Sequence, residues 1–234
     1  MRALRILQRQ SEAVSARVQA EIAAELGPDA PRLALAAVSA HRAMDEEGAR
    51  ALAAGDRAPA CAAGCSHCCH VHADATVPEV LAIVAHVEQA WTAEDRAALR
   101  ERLARQARAV AHLTDQARWA ARIPCALLDA AGRCTIHAAR PLRCRAFHAC
   151  SADPCRAAFE GATDPEPEPE RIARLDRAHD AVERGYDRAL TGAGLSARGY
   201  RLELALGIAL AVPDAGARWL SGDDAFAPAR SPDA

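Results

Sequence analysis

All nine cysteines of this chain fall between Cys61 and Cys155. "CAAGCSHCCH", Cys61 to His70, holds four thiols and two imidazoles in one short stretch, and Cys125, Cys134, Cys144, Cys150 and Cys155 follow as a second group. Cysteines serving as small core hydrophobes would be scattered along the chain. A fold that uses this distribution has to draw sulfur atoms from two distant groups together.

The compartment decides what those sulfurs are for. The N-terminal stretch is charged throughout and has no apolar signal core, and no run of apolar residues is long enough to span a bilayer, so a soluble, cytoplasmic chain with no membrane partner is expected. Stable disulfides are uncommon in a reducing cytosol, and a chain of 234 residues needs no staples to fold. The net charge is -2, with arginine and carboxylates intermixed and few aromatics, which gives no electrostatic footprint for nucleic acid. Every basic residue is arginine, so lysine nucleophile and Schiff-base chemistry is excluded. A protein or peptide partner is compatible with this surface, and no feature fixes an oligomeric state.

Alanine and leucine dominate, which favours helices packed on small side chains. Leu4, Leu7, Val14, Val18, Ile22 and Leu26 have helical spacing up to Gly27-Pro28, and a second helix is expected from Pro31 to about Ala53. Thr76-Val77-Pro78-Glu79 and Thr92-Ala93-Glu94-Asp95 have the form of capping boxes, the second opening a helix through Leu113. "CALL" and "CTIH" flank "DAAGR", where Gly132 permits a hairpin turn that would set Cys125 opposite Cys134. Pro141 opens a short helix expected to carry Cys144 and His148 on one face. Two more helices are expected, about Glu170 to Leu190 and Ala197 to Val212. The fold expected is mainly α: an irregular helical bundle with a short β-hairpin in a cysteine-rich metal-binding region. Its organisation is an N-terminal helical hairpin (1–56), the cysteine region (57–160), an acidic proline linker (161–170), C-terminal helices packing on the core (171–212) and a disordered tail (213–234).

Thiolates are soft, and the metals that take several of them are zinc, copper(I) and the iron of iron-sulfur clusters. Cys65-x2-Cys68 has the spacing that lets two sulfurs converge on one centre. Adjacent side chains such as Cys68 and Cys69 diverge, by about 100° on a helix, so this pair is expected to face different metal atoms. An iron-sulfur cluster prefers an all-thiolate shell, and the chain offers two sets of four with one left over. Zinc, the alternative, accepts mixed sets, and His67, His70, His72, His137 and His148 are near in sequence. The thiol supply favours the iron-sulfur cluster. Arg140, Arg143 and Arg145 surround Cys144, where guanidinium donors would offset a negatively charged thiolate centre. Asp129, Glu79 and His148 are candidate acid–base groups with no diagnostic spacing, so whether the chain is an enzyme stays open.

"CAAGCSHCC" followed by "CALLDAAGRCTIHAARPLRCRAF" resembles the zinc- or iron-chelating domain family named for its C-x2-C-x2-C-C motif. The resemblance places Cys61, Cys65, Cys68, Cys69, Cys125, Cys134 and Cys144 among the metal ligands, with Cys150 completing the family's complement. The first spacing here is x3 where the motif has x2. Arg140, Pro141 and Arg145 fill its "RP…CR" element, and the two arginines are the cofactor-binding candidates. Some members resemble flagellin lysine methylases, which implies a cluster-dependent modifying enzyme acting on a protein or peptide as a further alternative to a zinc-binding protein or metal carrier. Cys61-x3-Cys65-x2-Cys68 also has the radical-enzyme spacing, but the chain lacks the succession of βα units that such a barrel requires.

Overall fold

The computed structural model describes residues 2–27, 29–161 and 168–230. Within them the protein is mainly helical, and most helix ends follow from a local signal. α1 (Arg2–Glu25) gives its last carbonyls to the next element: Arg32 Nε and Nη2 donate to Glu25 O and Ala24 O, both at 3.1 Å. α2 (Ala30–Ala53) is capped by Asp29, whose side chain accepts from Arg32 N at 3.0 Å. α3 (Val77–Ala90) opens on the expected capping box, with Glu79 Oε2 accepting from Thr76 N at 2.8 Å. Thr92 Oγ1 caps α4 (Ala93–Val110), accepting from Asp95 N at 3.1 Å.

α4 stops short of Leu113. The buried Arg201 takes the carbonyls beyond its end, donating to Ala111 O at 3.1 Å and Leu113 O at 2.8 Å. A helix without a counterpart in the sequence reading follows, α5 (Asp115–Ala121), capped by Thr114 Oγ1 and ending at Arg122 in the left-handed region with φ 53°. The cysteine region then supplies α6 (Leu142–Ala146) and α7 (Asp153–Glu160), and the C-terminal part supplies α8 (Ala173–Gly192), α9 (Leu202–Ala211) and α10 (Ala215–Leu220). The helix expected from Ala197 starts only at Leu202, because Tyr200 and Arg201 form a strand, β2. It pairs antiparallel with β1 (Asp74–Ala75), Asp74 opposite Arg201 and Ala75 opposite Tyr200.

Two apolar clusters hold the helices. Val18, Ile22, Met44, Val182, Tyr186 and Leu190 join α1, α2 and α8, and α1 packs more extensively on α8 than on its expected hairpin partner α2. Ile83, Leu99, Leu103 and Leu206 join α3, α4 and α9. α2 packs on α3 and links the two. The cysteine region lies against this frame: α6 on α2 and α8, residues 137–139 on α3, and α7 on the turn His67–His70.

Three local expectations need correction. The ribbon around Gly132 is a tight antiparallel turn with one bridge, Leu128 opposite Cys134, so Cys134 faces Leu128 instead of Cys125. Asp129 sets that register, its Oδ1 accepting from Ala131 N at 2.9 Å and Arg133 N at 2.8 Å. α6 ends at Ala146, so His148 shares no helical face with Cys144. The C-terminal stretch is ordered to Arg230: α10 lies within it and Phe226 is fully buried against Tyr200, 5.9 Å between ring centroids. Residues 162–167 of the acidic proline linker lie outside the described residues, as do 231–234 of the tail.

Candidate metal centre

The two cysteine groups meet. Cys125 N donates to Cys69 O at 2.8 Å, and Ala60 N donates to Ala149 O at 2.8 Å, so each end of the first loop is tied to a distant part of the second. Between these ties the loops touch through two glycines. Gly64 and Gly132 have φ of +90° and +71°, and a Cβ on Gly132 would lie 3.3 Å from Gly64 O. Glycine is needed at both for the left-handed backbone, and at Gly132 for the close approach as well. Cys65 N and Cys69 N donate to Ala62 O and Ser66 O, which winds the first loop into the 3-10 turn His67–His70.

Cys68 is the centre of the resulting thiol network. Its thiol is hydrogen-bonded to that of Cys69, and it lies within electrostatic reach of Cys65, Cys134, Cys144 and Cys155. The neighbouring thiols therefore converge, contrary to the divergence expected of adjacent residues, because side-chain rotation brings one sulfur back over the other. Cys61 joins through Cys65 and Cys155, and Cys125 joins through Cys144. Cys150 stands apart: its amide donates to Glu170 O at 2.8 Å and its thiol lies in the field of Arg57, which Glu170 clamps through both oxygens at 2.6 Å.

Burial and crowding raise the pKa of six of these thiols, Cys65, Cys68, Cys125, Cys134, Cys144 and Cys155. Contact with Cys69 and then burial push Cys68 up, and burial followed by the charges of Cys68 and Cys134 pushes Cys144 up to about 12. Burial is the first cause at Cys65, Cys125, Cys134 and Cys155 as well. All nine cysteines are free thiols. A thiophilic cation among them would invert this balance, since coordination deprotonates a thiol outright. Among the described residues no three Cys, His, Asp or Glu side chains stand ready to hold an ion without adjustment. The donors are gathered, and an ion bound there would need side-chain rotation to close its shell.

The surroundings fit an anionic centre. Arg140 lies in the field of Cys68, Cys134 and Cys144, and its Nε is buried without a hydrogen-bond partner. A buried donor left unpaired costs about 1–3 kcal/mol, and metal-bound sulfur is an acceptor that would take it. Arg145 is committed elsewhere, Nη1 to both oxygens of Asp45 at 2.7 and 2.6 Å and Nε to Arg140 O at 2.8 Å, so it anchors the backbone that carries Arg140. Glu203, ion-paired to the buried Arg118 at 2.5 Å, accepts from Ala126 N and fixes the chain beside Cys125.

Hydrogen bonds sort the histidines. His148 Nε2 accepts from Ile172 N at 2.9 Å, which leaves Nδ1 to donate to Ala146 O at 3.0 Å; both nitrogens are used. His72 accepts from Arg118 Nη1 at 3.0 Å and donates to Leu113 O at 3.3 Å. His70 Nδ1 donates to Ser66 O at 3.0 Å, which assigns the lone pair to Nε2. The rings of His67 and His70 pack on Phe159 of α7 at 5.3 and 4.5 Å. Asp129, Glu79 and His148, the acid–base candidates of the sequence, are all engaged in scaffold hydrogen bonds.

Comparison with known families returns one model, residues 60–168 matching the CxxCxxCC family, described as a putative zinc- or iron-chelating domain. The matched segment, just under half of the chain, is similar to that family. No curated protein and no solved structure matches the chain. The matched segment contains every cysteine, α6 and α7, and leaves α1, α2 and α8 to α10 outside it. Cys155 is the thiol left over when the other eight are taken as two sets of four, and its neighbours come from the fold. The available signal was the spacing Cys155 to Phe159, one helical turn after Asp153-Pro154.

Proposed function

We propose that the matched segment holds a polynuclear thiolate centre, an iron-sulfur cluster in preference to single zinc ions. The carrying observation is the connected network of Cys61, Cys65, Cys68, Cys69, Cys125, Cys134 and Cys144, which exceeds the four donors that one tetrahedral ion takes. Arg140, with its unpaired buried Nε, supplies the counter-charge that an all-thiolate shell requires. Such a cluster supplies one-electron transfer or a structural cross-link. The chain's own part is to hold the sulfurs: Arg145 and Glu203 fix the backbone beside Cys144 and Cys125.

A zinc centre is the second reading, favoured by His70, next to Cys69 in the same turn, whose Nδ1 is anchored on Ser66 O and whose Nε2 therefore carries the lone pair that a mixed Cys/His shell uses. Anaerobic purification with iron, zinc and acid-labile sulfide analysis and an ultraviolet-visible spectrum separates the two. Brown protein with matching iron and sulfide is the expected result. Colourless protein with stoichiometric zinc replaces the cluster by the second reading, and protein that takes up neither after anaerobic reconstitution refutes both.

A further inference from the structure

We propose that Cys155 is a metal ligand, the fourth thiol of a subsite with Cys61, Cys65 and Cys68 that takes a thiophilic divalent metal atom, and that Cys150 is not a ligand. The inference rests on the thiolate centre proposed above and assigns its outer half. Cys155 and Phe159 lie one turn apart on α7, so they share a helical face. That face is pressed on the turn carrying Cys68: Phe159 packs on His67 and His70 of the same turn, at 5.3 and 4.5 Å. Cys155 accordingly lies in the field of Cys61, Cys65 and Cys68 together.

α7 is held in this position from outside. Arg122 donates through Nη2 to Ala158 O at 3.2 Å, and its guanidinium lies 4.9 Å from the Phe159 ring and 4.5 Å from that of Trp119. Cys150, before the start of α7, is turned to Arg57 and the Glu170 carbonyl. Removing it leaves eight thiols, and these divide by position. Cys61, Cys65 and Cys155 lie in one another's field and in that of Cys68, while Cys134 and Cys144 meet Cys68 from the other side, Cys125 joins them through Cys144, and the backbone tie from Cys125 to Cys69 sets Cys69 toward that side. Cys68, in contact with Cys69, is the bridge between the halves.

The test is a cobalt(II) titration of the full-length, anaerobically reduced protein, read by thiolate-to-cobalt charge-transfer absorption. About two equivalents of cobalt are expected for the wild type, about one for Cys155→Ser, and the wild-type value for Cys150→Ser. Alkylation of the cobalt-loaded wild type, mapped by peptide mass spectrometry, needs no substitution: Cys155 is expected to be protected and Cys150 labelled. A Cys155→Ser protein that binds as the wild type does, or a labelled Cys155 beside a protected Cys150, overturns the assignment. Wild type that gives no thiolate absorption with cobalt overturns the thiolate centre itself, and this subsite with it.

Discussion

Glu79 ties the start of one helix to the start of another: Oε2 accepts from Thr76 N at the head of α3, and Oε1 accepts from Leu142 N at the head of α6, both at 2.8 Å. Thr76 Oγ1 also donates to Oε2 at 2.8 Å and receives Tyr186 OH at 2.7 Å, which brings in α8. Cys144 lies two residues beyond Leu142, so this buried carboxylate sets where that thiol stands. Burial raises the pKa of Glu79, but the His41 imidazole 3.8 Å away and the amides of Thr76 and Leu142 outweigh it and leave the group below its ordinary 4.5. Its contribution is therefore complete above pH 4.5 and lost as pH falls through the lowered value. Glu79→Ala leaves two buried amides unsatisfied, at about 1–3 kcal/mol each, and is expected to lower Tm sharply at neutral pH. Glu79→Gln should lose less there and should lack the acid-sensitive step below pH 4.5 in melts of the wild type.

His72 gives a second, separate acid window. Burial, then the charges of Arg118 and Arg201, hold its imidazole down to about 4 against an ordinary 6.5. The folded state thus prefers the neutral ring, so the stability it contributes is complete above pH 6.5, declines between 6.5 and about 4, and is level below. His72→Gln should flatten the decline between those two pH values without touching the Glu79 step. A proton NMR titration of the His72 ring should show a midpoint near 4, and a midpoint near 6.5 would mean that Arg118 and Arg201 do not surround it.

Arg122 combines strain with a clamp. It is the described non-glycine residue with positive φ, at 53°, and its guanidinium packs between Trp119 and Phe159. Arg122→Ala loses the clamp and keeps the left-handed backbone, whereas Arg122→Gly loses the clamp and relieves the backbone by about 1 kcal/mol. Alanine should therefore be the less stable of the two by about that amount in urea denaturation, and less stable than arginine by the loss of cation–π contacts that contribute about 0.5–2 kcal/mol. Equal stabilities of the alanine and glycine variants would argue against a left-handed residue at this position.

What the sequence made legible was local. Thr76 with Glu79 and Thr92 with Asp95 announce helix starts because the cap and its partner are three residues apart, and Cys65-x2-Cys68 spans the start of the turn His67–His70 over the same short distance. Long-range pairing was not legible. Nothing near Tyr200 says that it will pair with Ala75, and Phe226 looked like part of a polar tail until Tyr200 covered it. Cys150 and Cys155 differ by one feature that spacing does not encode, the packing of α7 on the turn His67–His70. His148 looked like a ligand beside Cys144, but its Nε2 is the acceptor that receives Ile172 N, just before α8 begins.

The crossing of α1 and α8 allows one substitution to be tested with opposite signs on a single helix. A Cβ on Gly185 would lie 2.6 Å from Ser15 O and 2.9 Å from Val18 Cβ, both on α1. Gly192, at the end of α8, has no atom within 4 Å of the same position. Glycine to alanine gains up to about 1 kcal/mol in helix propensity and in reduced freedom of the unfolded chain wherever there is room. At Gly185 the alanine methyl meets a backbone carbonyl, which cannot rotate aside, so α1 has to move and overpacking costs about 1–3 kcal/mol. Gly192→Ala is expected to raise the urea midpoint and Gly185→Ala to lower it. A Gly185→Ala protein at least as stable as the wild type would mean that the two helices cross with a gap at that point, with Ser15 O farther than 2.6 Å from a Cβ on residue 185.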